Sequence, residues 1–176
     1  GIGGLGGTGL ELALRAHGFG MRVYAVDKHP GPPSAHVAEV WGLDRLDELL
    51  GISDWFVVTV PFTSKTEGLI DRRRLGLLKR GAYIIVISRG GIVDEAALLE
   101  GLRSGRIAGA GVDAFKEEPL PADSPFWDMD NVMISPHVSA LTPEMWEGRR
   151  QVFKENLRRF LANEPFLYVC DKRAGY

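Results

Sequence analysis

Little in this chain can cross-link, span a bilayer or coat a polyanion. Cys170 is the only cysteine among 176 residues, which excludes a disulfide framework and a thiolate metal site. The longest apolar runs, such as those at 55–60 and 83–87, are strand-sized and far short of the roughly 20 residues a membrane-spanning helix needs. Neither sign of charge dominates, since 21 Lys and Arg oppose 23 Asp and Glu for a net charge of −2. No basic cluster stands out, which argues against nucleic acid as a partner. The four histidines, His17, His29, His36 and His137, lack metal-ligand spacing, so no metal is expected. There is no internal repeat, no low-complexity tract and no recognisable signal peptide; a cytoplasmic location is the default expectation.

What is present is alternation. With 45% hydrophobic residues, the chain can bury one good core and is expected to form one main domain. Short apolar runs at 21–26, 55–60, 83–87, 107–112 and 131–134 read as strands, those at 55–60 and 83–87 as fully buried ones. Between them, Leu10–Ala16, Leu43–Leu50, Leu69–Leu78 and the segment opened by Asp94-Glu95 carry helical spacing. Pro30-Gly31-Pro32-Pro33 reads as a surface loop. Strand–helix alternation of this kind predicts an α/β fold, a doubly wound parallel sheet covered on both faces. A final long helix is expected from Thr142 as N-cap and Pro143 as first helical residue to about Asn163. It carries an apolar stripe, including Trp146, Phe153 and Leu157, and a cationic set of Arg149, Arg150, Lys154, Arg158 and Arg159.

The first nine residues hold the strongest motif. Two G-x-G-x-x-G registers fit, Gly1/Gly3/Gly6 and Gly4/Gly6/Gly9. The second is preferred, because the amphipathic run begins directly after Gly9. In such a turn one glycine makes the strand-to-helix bend, the next lets a pyrophosphate approach the backbone, and the third lets helix and strand pack closely. Gly7 and Thr8 complete the loop, and the following helix points its N–H groups at the phosphates. Asp27 ends the 21–26 run about 20 residues on, where a carboxylate accepts hydrogen bonds from an adenosine ribose. An acid there favours NAD over NADP, although Lys28 and His29 directly after it could tolerate a phosphate.

Ligands of doubly wound sheets bind at the carboxyl ends of the strands. Three polar groups fall there: Ser88-Arg89 after Ile87, Asp113 after Val112 with Glu118 just beyond, and Ser135-Pro136-His137 after Ile134. An arginine fork binds a carboxylate bidentately. A histidine moves a proton near neutral pH, and an adjacent carboxylate orients it and favours its charged form. Arginine, acid and histidine are what hydride transfer to or from a small hydroxy acid needs beside a nicotinamide.

The stretches at 4–9, 88–98, 109–115, 118–121 and 135–137 resemble the NAD-dependent D-isomer-specific 2-hydroxyacid dehydrogenases, a family that includes phosphoglycerate, glycerate, formate and D-lactate dehydrogenases. The resemblance runs from Gly1 to about Asn163. It implies a Rossmann-type dinucleotide-binding domain over 1–141, and over 142–176 a helix and tail belonging to a substrate domain. It implies that Arg89 binds the substrate carboxylate and its carbonyl or hydroxyl oxygen, that His137 is the general acid/base and that Glu118 is its pairing carboxylate. Asp113 would contact the nicotinamide carboxamide, Ser88 would line the nicotinamide side, and Thr59, Val60 and Pro61 the adenosine and nicotinamide ribose side. The partners implied are NAD, a small 2-hydroxy or 2-keto acid and a second copy in a homodimer.

Two features depart from that pattern. The glycine turn arrives before a full first strand, so that strand is expected to be truncated to Gly1-Ile2-Gly3 and the N-terminal half of the substrate domain to be missing. The chain alone is therefore expected not to turn over substrate. A second reading, a noncatalytic NAD-sensing module of the corepressor type, shares fold and triad; an inactive truncated dehydrogenase is a third.

Overall fold

Runs of β-branched and aromatic residues form strands here because each can set alternate side chains against a helix layer. The computed structural model describes residues 1–32, 35–173 and 175. Pro33 of the expected Pro/Gly loop lies outside the described residues, as do Ala174 and Tyr176 of the tail. Seven strands make one sheet: β1 (Ile2–Gly3), β2 (Tyr24–Val26), β3 (Glu39–Trp41), β4 (Trp55–Val58), β5 (Ala82–Val86), β6 (Ile107–Val112) and β7 (Val132–Ile134). Their spatial order is β3-β2-β1-β4-β5-β6-β7, and every pairing is parallel. The order reverses beside β1, and in doubly wound sheets ligands bind at the carboxyl ends of the strands flanking such a reversal, here β1 and β4. The doubly wound reading is correct, and the two-residue β1 stands inside the sheet, between β2 and β4.

Four helices flank the sheet: α1 (Gly7–Gly18), α2 (Leu46–Ile52), α3 (Arg72–Leu77) and α4 (Glu95–Arg103). On one face Phe56, Val58, Ile84, Val86 and Val112 pack with Leu46, Leu49 and Leu50 of α2, Leu75 of α3 and Leu98 and Leu102 of α4. Each such fully buried side chain contributes about 1.5–3 kcal/mol. On the other face α1 sets Ala13 against Ile2, Val23, Ala25 and Val37.

That second face is only partly covered, which corrects the expectation of fully buried central strands. Trp55, Tyr83 and Met133 are 41%, 39% and 78% exposed, and the Trp55 and Tyr83 rings stack at 4.2 Å. An apolar cleft of about 320 Å³ runs beside them, lined by Ile2, Leu12, Ala16, Val57 and Ile85. An unbroken apolar run conceals this, because strand alternation sends half its side chains to each face.

Several elements differ from the sequence expectation. Helix α1 begins at Gly7, inside the glycine loop, rather than after Gly9, and the expected helix from Leu43 opens with a 3-10 turn before α2 starts at Leu46. Strand β3 was not anticipated; three residues are too few for periodicity, and Trp41, 7% exposed, anchors it. Helix α3 starts at Arg72 rather than Leu69, because the Asp71 carboxylate caps it by accepting from Arg74 N at 2.8 Å, while Ile70 bridges to Val93.

The described residues divide into two compact units, 1–136 and 137–176. Within the second, α5 (Pro143–Leu161) has the expected bounds, with Thr142 Oγ1 accepting from Met145 N at 3.2 Å. Its arginines are largely neutralised: Arg158 and Arg159 bond Glu155, Arg158 also bonds Glu164, and Arg150 pairs with Glu147. The tail folds back on the helix end through Asn156, which exchanges two hydrogen bonds with Leu167.

Candidate functional site

The glycine turn behaves as the Gly4/Gly6/Gly9 register predicts. Gly4 has φ +102°, a left-handed conformation that glycine adopts without penalty, and a Cβ there would meet Val60 at 2.9 Å. A Cβ on Gly9 would run into the Gly4 carbonyl oxygen, so the helix can approach the strand this closely only without a side chain. Gly6 and Gly7 have nothing within 4 Å of the equivalent position. Backbone is thus exposed at the one place where an anion would lie.

Helix α1 differs from the other long helices at its start. Asp94 caps α4 and Thr142 caps α5 by accepting a first-turn N–H. Gly6 at the head of α1 makes no side-chain cap, and its first turn holds no acid. Its first N–H groups and positive dipole end remain available to a phosphate.

Asp27 is brought to this turn. Its Oδ2 accepts from Leu5 N at 2.8 Å and its Oδ1 from His29 N at 2.8 Å, so the carboxylate is held in place beside the glycines. From the other side, Thr59 Oγ1 lies 3.0 Å from Gly3 O and 2.5 Å from Gly4 O. Its hydroxyl braces the turn, a role the sequence reading did not assign. Val60 is buried behind Gly4 and Pro61 is exposed at the mouth.

The second polar group lies at the ends of β5, β6 and β7. Ser88 Oγ is buried and makes no hydrogen bond among the described residues. Arg89 is exposed, and its Nη1 donates to Ser88 O at 2.7 Å. Gly90 packs directly on the backbone of Phe115 and Lys116, which sets the Arg89 segment against the loop carrying Glu118. That loop is tied twice: Phe115 N donates to Glu118 Oε1 at 3.0 Å, and Lys116 N to Glu95 Oε1 at 2.6 Å. Burial pushes the half-buried Glu95 carboxyl above its ordinary range; the Lys116 N–H opposes the shift, and Asp94 and Glu118 add to it. Asp113, 3% exposed, takes a hydrogen bond from Ser135 Oγ at 2.6 Å. His137 opens the second unit with φ +56°. Glu95 and Ser135 were visible in the sequence only as a first-turn acid and a strand-end serine; their partners 21 and 22 residues away gave no local signal.

These residues fit a dinucleotide: an open glycine cradle, an uncapped helix start, a carboxylate pinned beside it at the end of β2, and an orphan buried hydroxyl further along the same rim. The protein class follows from fold and site together, a dinucleotide-binding domain of Rossmann type.

Comparison with known proteins specifies it further. Residues 1–139 match the family model described as D-isomer specific 2-hydroxyacid dehydrogenase, NAD binding domain, and the chain belongs to that family. It is 40% identical over 166 residues to a glyoxylate reductase of Thermococcus onnurineus, covering 93% of this chain and 48% of that protein. It is 36% identical over 164 residues to a D-3-phosphoglycerate dehydrogenase of Methanocaldococcus jannaschii, covering 93% of this chain and 31% of the relative. Among solved structures, an NADPH-dependent glyoxylate/hydroxypyruvate reductase of Sinorhizobium meliloti in complex with NADP and sulfate superposes with a TM-score of 0.92 at 33% identity, over 99% of this chain and 56% of that one. A D-isomer specific 2-hydroxyacid dehydrogenase of Xanthobacter autotrophicus in complex with NADPH and MES gives 0.87 at 39%, over 99% and 71%. The chain therefore spans about half or less of the curated relatives it matches. The resemblance read from the motifs is confirmed, and relatives named as reductases and dehydrogenases favour the enzyme over the corepressor reading.

Proposed function

We propose that this chain is the cofactor-binding portion, residues 1–141, with a helix and tail of the substrate domain, residues 142–176, of an enzyme that interconverts a small D-2-hydroxy acid and its 2-keto acid. The observation that carries the reading is the Asp27 carboxylate pinned to the glycine turn at Leu5 N. Gly4, Gly6, Gly7, Thr8 and Gly9 with the head of α1 would hold the pyrophosphate, and Asp27 the adenosine ribose. Thr59, Val60 and Pro61 would border the ribose side, and Ser88 and Asp113 the nicotinamide. When bound, that group supplies or accepts a hydride. Arg89 binds the substrate carboxylate and polarises its 2-oxygen, His137 delivers or takes the proton at that oxygen, and Glu118 stabilises the imidazolium. Glyoxylate and hydroxypyruvate, named for the relatives, are the substrates to try first, and the working form is a homodimer in the cytoplasm.

Cofactor choice is the sharpest test. A fixed carboxylate at the ribose repels a 2′-phosphate, so we expect NADH rather than NADPH, although NADP(H) accompanies three of the similar structures. Calorimetric titration should give NADH at least about tenfold tighter than NADPH, the equivalent of 1.4 kcal/mol, and Asp27→Ser should narrow that gap. Tighter binding of NADPH by the wild-type chain would refute the assignment.

A further inference from the structure

Asp113 is a buried carboxylate of the candidate site, and it is hydrogen-bonded by a neighbour with no assigned role. A charged group only 3% exposed is tolerated only with donors aimed at it. One donor is the Ser135 hydroxyl, whose Oγ lies 2.6 Å from Oδ1, a short charge-assisted bond. The backbones of both residues are fixed by the sheet. Val112 and Ile134 are register partners of β6 and β7, and the ladder continues one residue further: Asp113 N donates to Val86 O at 2.9 Å and Ser135 N to Val112 O at 3.1 Å. With both main chains held, the hydroxyl constrains the rotation of the carboxylate plane at the carboxyl end of β6. Ser88 Oγ, at the end of adjacent β5, is the other buried polar atom on this rim.

We propose that Ser135 is a positioning residue for the nicotinamide half of the site: through Oγ it orients the Asp113 carboxylate to accept the carboxamide N–H of the bound cofactor. The proposal rests on the reading of Asp113 given under Proposed function. Acting through Asp113, Ser135 touches neither substrate nor cofactor. Its loss should therefore be felt at one end of the dinucleotide only.

The test is calorimetric titration of the 176-residue chain with NADH and, separately, with ADP-ribose, which lacks the nicotinamide. Ser135→Ala should weaken NADH by about tenfold, the equivalent of about 1.4 kcal/mol and the size of one misaligned hydrogen bond between Asp113 and the carboxamide, and leave ADP-ribose within about twofold. Ser135→Thr, which keeps the hydroxyl, should restore most of the NADH affinity. Should the alanine variant fail to fold by circular dichroism, Ser135→Cys replaces it, with a weaker donor and the same expected direction. Equal loss toward both ligands, or no loss toward NADH, overturns the positioning role. Wild-type chain that binds ADP-ribose as tightly as NADH overturns it as well. Wild-type chain that binds neither removes the dinucleotide reading itself, so the two failures are distinguishable.

Discussion

Glu95 illustrates what one side chain does at two levels. In sequence it is a first-turn acid of α4, favourable to the helix dipole. In the fold its carboxylate also holds Lys116 N at 2.6 Å and so ties down the loop that carries Glu118. Burial raises its pKa above the ordinary 4.5. A raised carboxyl pKa means the folded state binds the proton more tightly than the unfolded chain does, so this group's contribution to stability falls as pH rises from about the ordinary value through the folded one. Glu95→Gln keeps an acceptor for Lys116 N and removes the ionisation. Thermal melts between about pH 4 and 7 should show the variant gaining stability relative to the wild type as pH rises, with no loss of stability at neutral pH. Parallel curves for the two proteins would contradict this account.

At the scale of elements, the turn from β1 into α1 is the most constrained and the most legible. Gly9→Ala places a methyl group on the Gly4 carbonyl and should destabilise by about 1–3 kcal/mol, the cost of overpacking. Gly18→Ala, in the last turn of the same helix with nothing within 4 Å of its Cβ, should instead stabilise by about 0.4–1 kcal/mol by narrowing the unfolded ensemble. Urea unfolding of the two variants checks the contrast, and a stable Gly9→Ala protein would remove the close-packing argument. The cap of α5 was equally readable, since Thr142 acts on a residue three positions away; Asp94, expected as an acid of the first turn, is instead the cap of α4. Strand β3 was not: its three residues hold their place by pairing with β2, which no local pattern announces.

At the scale of the molecule, binding and stability are linked. A dinucleotide that binds only the folded sheet should, at about 100 times its dissociation constant, add about 2.7 kcal/mol and raise the melting temperature by about 5–10 °C. Differential scanning calorimetry with NADH and with adenine alone checks this; an NADH melting curve identical to the free one would contradict the whole-site reading. The partly open sheet face, with Trp55, Tyr83 and Met133 in solvent, belongs to this scale too. Composition gives no hint of it, because the same apolar residues would serve a covered face.

The sequence by itself determined the glycine register, the presence of α1 directly behind it, the bounds of α5, the alternation that defines the fold class and the polar residues waiting at strand ends. All of these depend on neighbours within a turn or two, where propensity, capping and periodicity act directly. Only the tertiary structure decided that Asp27 binds Leu5 and that Ser135 binds Asp113, each across 22 residues. Such pairs form when parallel strands joined through crossover connections come into register, and register is a property of the assembled sheet rather than of any segment in it.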